Sequence, residues 1–161
     1  MSQLKIYPLS EKPEYAETCA AWSFSQWGCH MHDANLSEMI TDYKKRTKNT
    51  DALPLVWIAE INRQITGMVA LKEEDGYPQS MCDMKPWLAA VFVHPSFRNQ
   101  GIAKRLIEVL LQKTQKLGFK EIYLTTPDAE KLYKKFGFIT IDKIKDTRGY
   151  TDTEYLMRKA L

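Results

Sequence analysis

Val91–Glu108, VFVHPSFRNQGIAKRLIE, joins an apolar run to a helical pattern through a turn that carries a basic residue, two amides and one glycine. Arg98, Asn99, Gln100 and Gly101 make the turn, and Ile102, Ala103 and Lys104 open the helix. The first N–H groups of a helix have no intrahelical partner, the helix dipole puts partial positive charge there, and glycine lets an anion approach the backbone closely. Such a turn is built to hold phosphate, and Arg98, Lys104 and Arg105 add positive charge beside it. Two familiar phosphate loops do not fit. There is no GxxxxGK[ST], and the dinucleotide fingerprint needs three glycines where this turn has one.

Working outward, Pro86–Val93 is nearly all apolar, as in a strand covered on both faces, and it belongs at the centre of a sheet. After the turn, Ile102, Leu106, Val109, Leu110 and Leu117 recur at helical spacing up to Gly118. Upstream, LPLVWIAEI and ITGMVALKE read as a hairpin around Asn62-Arg63-Gln64. Leu4–Ser10 alternates as a first strand, Pro13 opens a helix to about Trp27, and Leu36–Thr47 reads as a second helix. Downstream come the strand EIYLTT, a short helix from Asp128 to Phe136 closed by Gly137, and a terminal hairpin of FITIDKI and EYLMRKAL. The predicted order is βααβββαβαββ, with no repeat or linker, so residues 1–161 form one α/β (α+β) domain.

Composition narrows the function classes. A net charge of +3, from 23 basic and 20 acidic residues mixed along the 161-residue chain, is not a nucleic-acid footprint. The densest basic run, Lys44-Lys45-Arg46 with Lys48, reads as a solvated helix face. Cys19, Cys29 and Cys82 are odd in number and lack metal spacing, which favours a reducing compartment over a disulfide framework. Cys29-His30-Met31-His32 has no second cluster to complete a zinc site, so no metal is expected. The N-terminus has no signal-type apolar core and no apolar run approaches a membrane span. A cytoplasmic protein without a membrane or nucleic-acid partner is expected.

Two segments carry a resemblance to a known family. VFVHPSFRNQGIAKRLIE resembles the acetyl-CoA signature of the GNAT superfamily of N-acetyltransferases, Arg or Gln, two residues, Gly, one residue, then Gly or Ala, filled here by Arg98, Gly101 and Ala103. AEKLYKKFGF, Ala129–Phe138, resembles the second signature, a Leu-Tyr pair on a short helix followed by Gly-Phe. The resemblance implies a mixed, mostly antiparallel twisted sheet flanked by helices. It also implies transfer of an acetyl group from acetyl-CoA to a primary amine of a small molecule or peptide, by direct attack in a ternary complex.

By position, the resemblance assigns the coenzyme A diphosphate to Arg98, Asn99, Gln100, Gly101, Ile102, Ala103 and Lys104. The backbone of Phe92 and Val93 would pair with the pantetheine arm, a backbone N–H near Val91–Val93 would meet the oxyanion, and Tyr133 would be the general acid at the sulfur. Thr126 stands where many relatives have an asparagine that bonds the arm. The central strand lacks the glutamate that many relatives use as base, which leaves a water chain, Asp83, Glu60 or His94. The acceptor would enter beside Ala21–Leu36, where Trp22, Phe24 and Trp27 could line a groove and Asp33 could attract a cationic amine. Trp87 either faces the substrate or caps the core. The missing glutamate also admits a non-catalytic coenzyme A or acetyl-CoA binding regulatory module, and the fold admits an interaction protein. The terminal hairpin leaves a homodimer open.

Overall fold

The computed structural model describes residues 3–161. Its elements are β1 (Lys5–Pro8), α1 (Ala16–Gln26), α2 (Leu36–Arg46), β2 (Leu55–Ile61), β3 (Gln64–Lys72), β4 (Trp87–Val93), α3 (Ile102–Lys116), β5 (Glu121–Thr126), α4 (Glu130–Lys134), β6 (Ile139–Lys145) and β7 (Thr153–Ala160). The order is the one the sequence predicts. Between β2 and β3 the chain reverses on Asn62 and Arg63 with φ of 52° and 62°, the left-handed pair of a two-residue hairpin turn made here without glycine. Tyr15 helps hold it, its hydroxyl sharing one proton between the Arg63 carbonyl and the Glu60 carboxylate, each at 3.1 Å.

The seven strands form one sheet in the order β1-β2-β3-β4-β5-β7-β6, with β4 in the middle as its apolar run predicts. β4 and β5 are the parallel pair and the other neighbours are antiparallel. The terminal hairpin pairs within the chain, because β7 slots between β5 and β6.

Strand alternation sorts the side chains onto two faces. On one, Leu106, Ile107 and Leu110 of α3 are fully buried against Trp57, Val69, Leu88, Ile122 and Leu124. Each such aliphatic side chain contributes about 1.5–3 kcal/mol by leaving water. On the other face, Cys19 and Ala20 of α1 and Tyr43 of α2 cover Ile58, Met68 and Ala70. Trp87, Tyr123 and Leu156, with Tyr77, extend that second face across β4, β5 and β7.

Two local irregularities open the centre of the sheet. Ala89 pairs with Ala70 and Phe92 with Met68, so Ala90 and Val91 together oppose the single residue Val69. This is a bulge, with Ala90 at φ 53°, and it bends β4. Gly67 accommodates the bent strand, since a Cβ there would lie 2.8 Å from the Phe92 carbonyl oxygen. On its other edge β4 pairs with β5 at Trp87↔Tyr123, and past that point the strands part.

Candidate active site

Three features bear on the point where β4 and β5 separate, of which the turn lies beyond the end of β4 and outside the lining of the cleft. The first is the turn into α3. Asn99 and Gly101 adopt φ of 61° and 76°, which brings the chain round so that Arg105 is the first residue to donate into the helix, to the Gly101 carbonyl at 3.1 Å. The N–H groups of Gly101 to Lys104 have no acceptor among the described residues. A Cβ on Gly101 would meet nothing within 4 Å, so the turn is open on that side. Arg98 turns back to donate from Nε to the Val93 carbonyl at 3.1 Å, which ties the turn to the end of β4.

The second feature is a cleft of about 660 Å³ through the gap, floored by Leu88 to Val91 of β4 and by Thr125 and Thr126 of β5. Phe92 and Val93 continue β4 from this floor towards the turn. Thr126 is buried, and its Oγ1 accepts the Ala129 N–H at 3.0 Å, which starts the turn into α4.

Tyr133, on α4, is the third. It lines the cleft on the α3 side, packs edge-on against Phe138 with ring centroids 6.0 Å apart, and its hydroxyl has no partner among the described residues. Burial pushes that hydroxyl well above the ordinary phenol range, and the Asp128 carboxylate adds to the shift. The group therefore keeps its proton at neutral pH and is available as a donor. No cysteine among the described residues lines the cleft, and burial pushes the Cys19 thiol up to about 12.

The acceptor-side residues predicted from sequence divide. Trp27 and Asp33 line the cleft from the α1–α2 connection. Trp22 does not: it packs on Phe92, with centroids 4.9 Å apart, and on His94. Trp87 does not face the cleft either. It is 2% exposed and stacked between Tyr77 and Tyr123, because its place in the strand alternation points it into the third apolar cluster. Of the base candidates, Glu60 is held by Lys12 and Tyr15 at the β1–β2 end, and neither His94 nor Asp83 lines the cleft. Arg46 departs from the solvated-face reading. Its guanidinium lies 4.4 Å over the Tyr43 ring, pairs with Asp42 and lines the cleft.

The domain model for the acetyltransferase (GNAT) domain matches residues 53–140, which span β2 through α4 and hold both the turn and Tyr133. The chain belongs to the GNAT acetyltransferase family. The Escherichia coli protein YjgM, described as an uncharacterized N-acetyltransferase, is 25% identical over 83% of this chain and 77% of its own length. The GNAT-family acetyltransferase of Streptococcus pneumoniae superposes with a TM-score of 0.71 at 20% identity, over 99% of each chain. An aminoglycoside 6'-N-acetyltransferase solved with coenzyme A superposes with a TM-score of 0.73 at 14% identity, over 97% of this chain and 96% of its own. At these identities the two structures establish the fold.

Within this GNAT fold, one part of the cleft wall was not foreseen from sequence. Arg148, from the β6–β7 loop, donates to Asp146 Oδ1 (3.0 Å), Asp75 Oδ2 (3.1 Å) and Glu154 Oε2 (2.7 Å), and stacks 4.5 Å over the Tyr77 ring. It ties the β3–β4 loop to the β6–β7 loop on the second sheet face. Nothing in KDTRGYTDTEY marks this hub, because Asp75 lies 73 residues away.

Asp146 gives this wall a measurable pH signature. Burial pushes its carboxyl up, but the N–H groups of Thr151 and Arg148 and the Arg148 guanidinium outweigh that and hold it below the usual aspartate range. Its contribution is thus complete above the free aspartate pKa of about 3.9 and is lost as pH falls through the lower folded value. Both carboxylate oxygens accept, so Asp146→Asn must turn an NH₂ against a donor, Thr151 N–H or Arg148. The variant should lose about 1–3 kcal/mol at pH 7. In urea unfolding the gap from wild type should persist through the free aspartate value of about 3.9 and shrink only as pH falls further, through the lower folded value.

Proposed function

We propose that this protein transfers the acetyl group of acetyl-CoA to a primary amine, by direct attack in a ternary complex, as one unit spanning residues 1–161 and working in the cytoplasm. The observation that carries the reading is the parted β4–β5 edge, with free helix N–H donors at one end and the Tyr133 hydroxyl beside it. The diphosphate of coenzyme A is held by the Arg98–Lys104 turn, where the N–H groups of Gly101 to Lys104 have no acceptor among the described residues and a Cβ on Gly101 would meet open space. The pantetheine arm runs along the edge of β4 that β5 leaves, at Phe92 and Val93, in the manner of an added strand, with Thr126 across from it. That places the thioester in the gap, where a backbone N–H of Val91–Val93 meets the developing oxyanion.

The amine reaches the carbonyl from the α1–α2 side past Trp27 and Asp33, whose carboxylate favours a cationic acceptor. Attack gives a tetrahedral adduct. Its collapse breaks the C–S bond, and the leaving thiolate is met by the Tyr133 hydroxyl. Direct attack is supported by the cleft lining, which among the described residues contains no cysteine that could carry an acyl group.

Calorimetry with coenzyme A and a free-thiol release screen across amine classes test this reading together. Heat with coenzyme A plus thiol release with at least one amine class is the expected result. Binding without turnover for every class would instead favour the regulatory module, and absence of heat would remove the coenzyme A reading altogether.

A further inference from the structure

β4 carries no carboxylate between Trp87 and Val93, yet an alkylammonium acceptor, with a pKa near 10.4, must lose a proton before it can attack at neutral pH. The second sheet face supplies a route. Thr125 lines the cleft floor, and the Tyr77 hydroxyl lies 2.8 Å from its Oγ1 while also bonding Glu154 Oε2. Glu154 is 2% exposed and lines the same cleft.

The polarity of this chain is forced. An ionised carboxylate only accepts, and the Tyr77 hydroxyl has one proton, so that proton points to Glu154 and Thr125 must donate to the Tyr77 oxygen. The remaining lone pairs of Thr125 Oγ1 are then available to the cleft. Thr125 has the same strand parity as Tyr123 and so faces the acceptor side, whereas Tyr133 belongs to the α3 side. The proton-accepting and proton-donating groups thus lie on opposite sides of the gap.

Resting on the acetyl-transfer reading above, we propose that Thr125, Tyr77 and Glu154 form a proton relay that deprotonates the acceptor amine. The ammonium gives one proton to Thr125 Oγ1 as Thr125 passes its own to Tyr77 and Tyr77 passes its own to Glu154. The amine becomes neutral, both hydroxyls are restored, and the carboxylate becomes a carboxylic acid that later returns the proton to solvent. Arg148 is a positioning residue for this relay. It fixes Glu154 Oε2 and the Tyr77 ring together, with Asp75, Asp146 and Lys72 as the other charges around it.

The test is the pH profile of free-thiol release with acetyl-CoA and n-butylamine for wild type, Tyr77→Phe, Thr125→Val and Thr125→Ser. Tyr77→Phe keeps the ring stack and leaves Arg148 on Glu154, so the relay is cut with little else disturbed. Its kcat should fall about 100-fold or more at pH 7, the low end for a positioned base. The deficit should close as pH approaches the amine's own pKa, with KM for acetyl-CoA unchanged. Thr125→Val should behave in the same way, and Thr125→Ser should restore the rate.

A constant deficit at every pH, or full activity in both Tyr77→Phe and Thr125→Val, would overturn the relay while leaving acetyl transfer intact. A wild type that turns over neither n-butylamine nor any amine of the screen would overturn both.

Discussion

Tyr133→Phe is expected to lower kcat about 100-fold while leaving coenzyme A affinity and the thermal unfolding midpoint unchanged. The fold should not notice the change, because the hydroxyl has no protein partner to lose and the ring keeps its edge-on contact with Phe138. The size of the rate effect follows from acidity. A thiolate with a pKa near 8.5 cannot fully take a proton from a phenol that is already above 10, so the hydroxyl acts by donating a hydrogen bond to sulfur as charge develops there. A hydrogen bond to a charged group contributes about 1.5–3 kcal/mol, which corresponds to roughly 10- to 150-fold in rate.

The sign of the pH effect is equally definite. Burial raises the Tyr133 pKa, so the donor is complete throughout neutral pH and any loss through its ionisation begins only above its free value of about 10. Stopped-flow thiol release beside a thermal melt measures both quantities. A variant with the wild-type rate would reduce Tyr133 to a packing aromatic of α4.

The parts legible in the sequence are those written as local patterns. The turn into α3 is read from Arg98 to Ala103 because orphaned amides and a left-handed glycine are properties of consecutive residues. The centrality of β4 is read from an apolar run, which is also local. What escapes is set by distance or by a residue without a signal. The bulge at Ala90 sits in Leu-Ala-Ala-Val, where no glycine or polar residue marks it, yet it parts β4 from β5 and so creates the cleft. Trp87 stays open between cleft and core until the sheet fixes which way its strand position faces. The Thr125–Tyr77–Glu154 chain joins three segments that lie 48 and 77 positions apart, so no spacing rule reaches it.

The turn itself is best tested by putting a negative charge into it. Gly101→Asp is expected to raise the dissociation constant of coenzyme A about 100- to 1,000-fold, with the protein still folded. Gly101 has φ 76°, and a Cβ there meets nothing within 4 Å, so the substitution is sterically open. Its cost is the left-handed backbone, about 1–2 kcal/mol for an ordinary residue and least for Asp and Asn, which adopt that region most readily. An acidic group at a helix N-terminus also returns about 0.3–1 kcal/mol through the dipole. The same carboxylate would accept the N–H groups that otherwise face the diphosphate and would repel its charge.

Losing two charge-assisted hydrogen bonds at the lower end of their range, about 1.5–2 kcal/mol each, gives the expected span, even before the repulsion is counted. Gly101→Asn is the matched control, since it tolerates the same backbone and can cap the same amides without the charge. It should weaken binding about tenfold, the loss of one net hydrogen bond of about 1.4 kcal/mol. Calorimetric titration of the three proteins with coenzyme A at two salt concentrations separates charge from shape, because only the Asp variant's deficit should shrink as salt screens it. If Gly101→Asp bound coenzyme A as tightly as wild type, the diphosphate would have to sit elsewhere than on the amides that open α3.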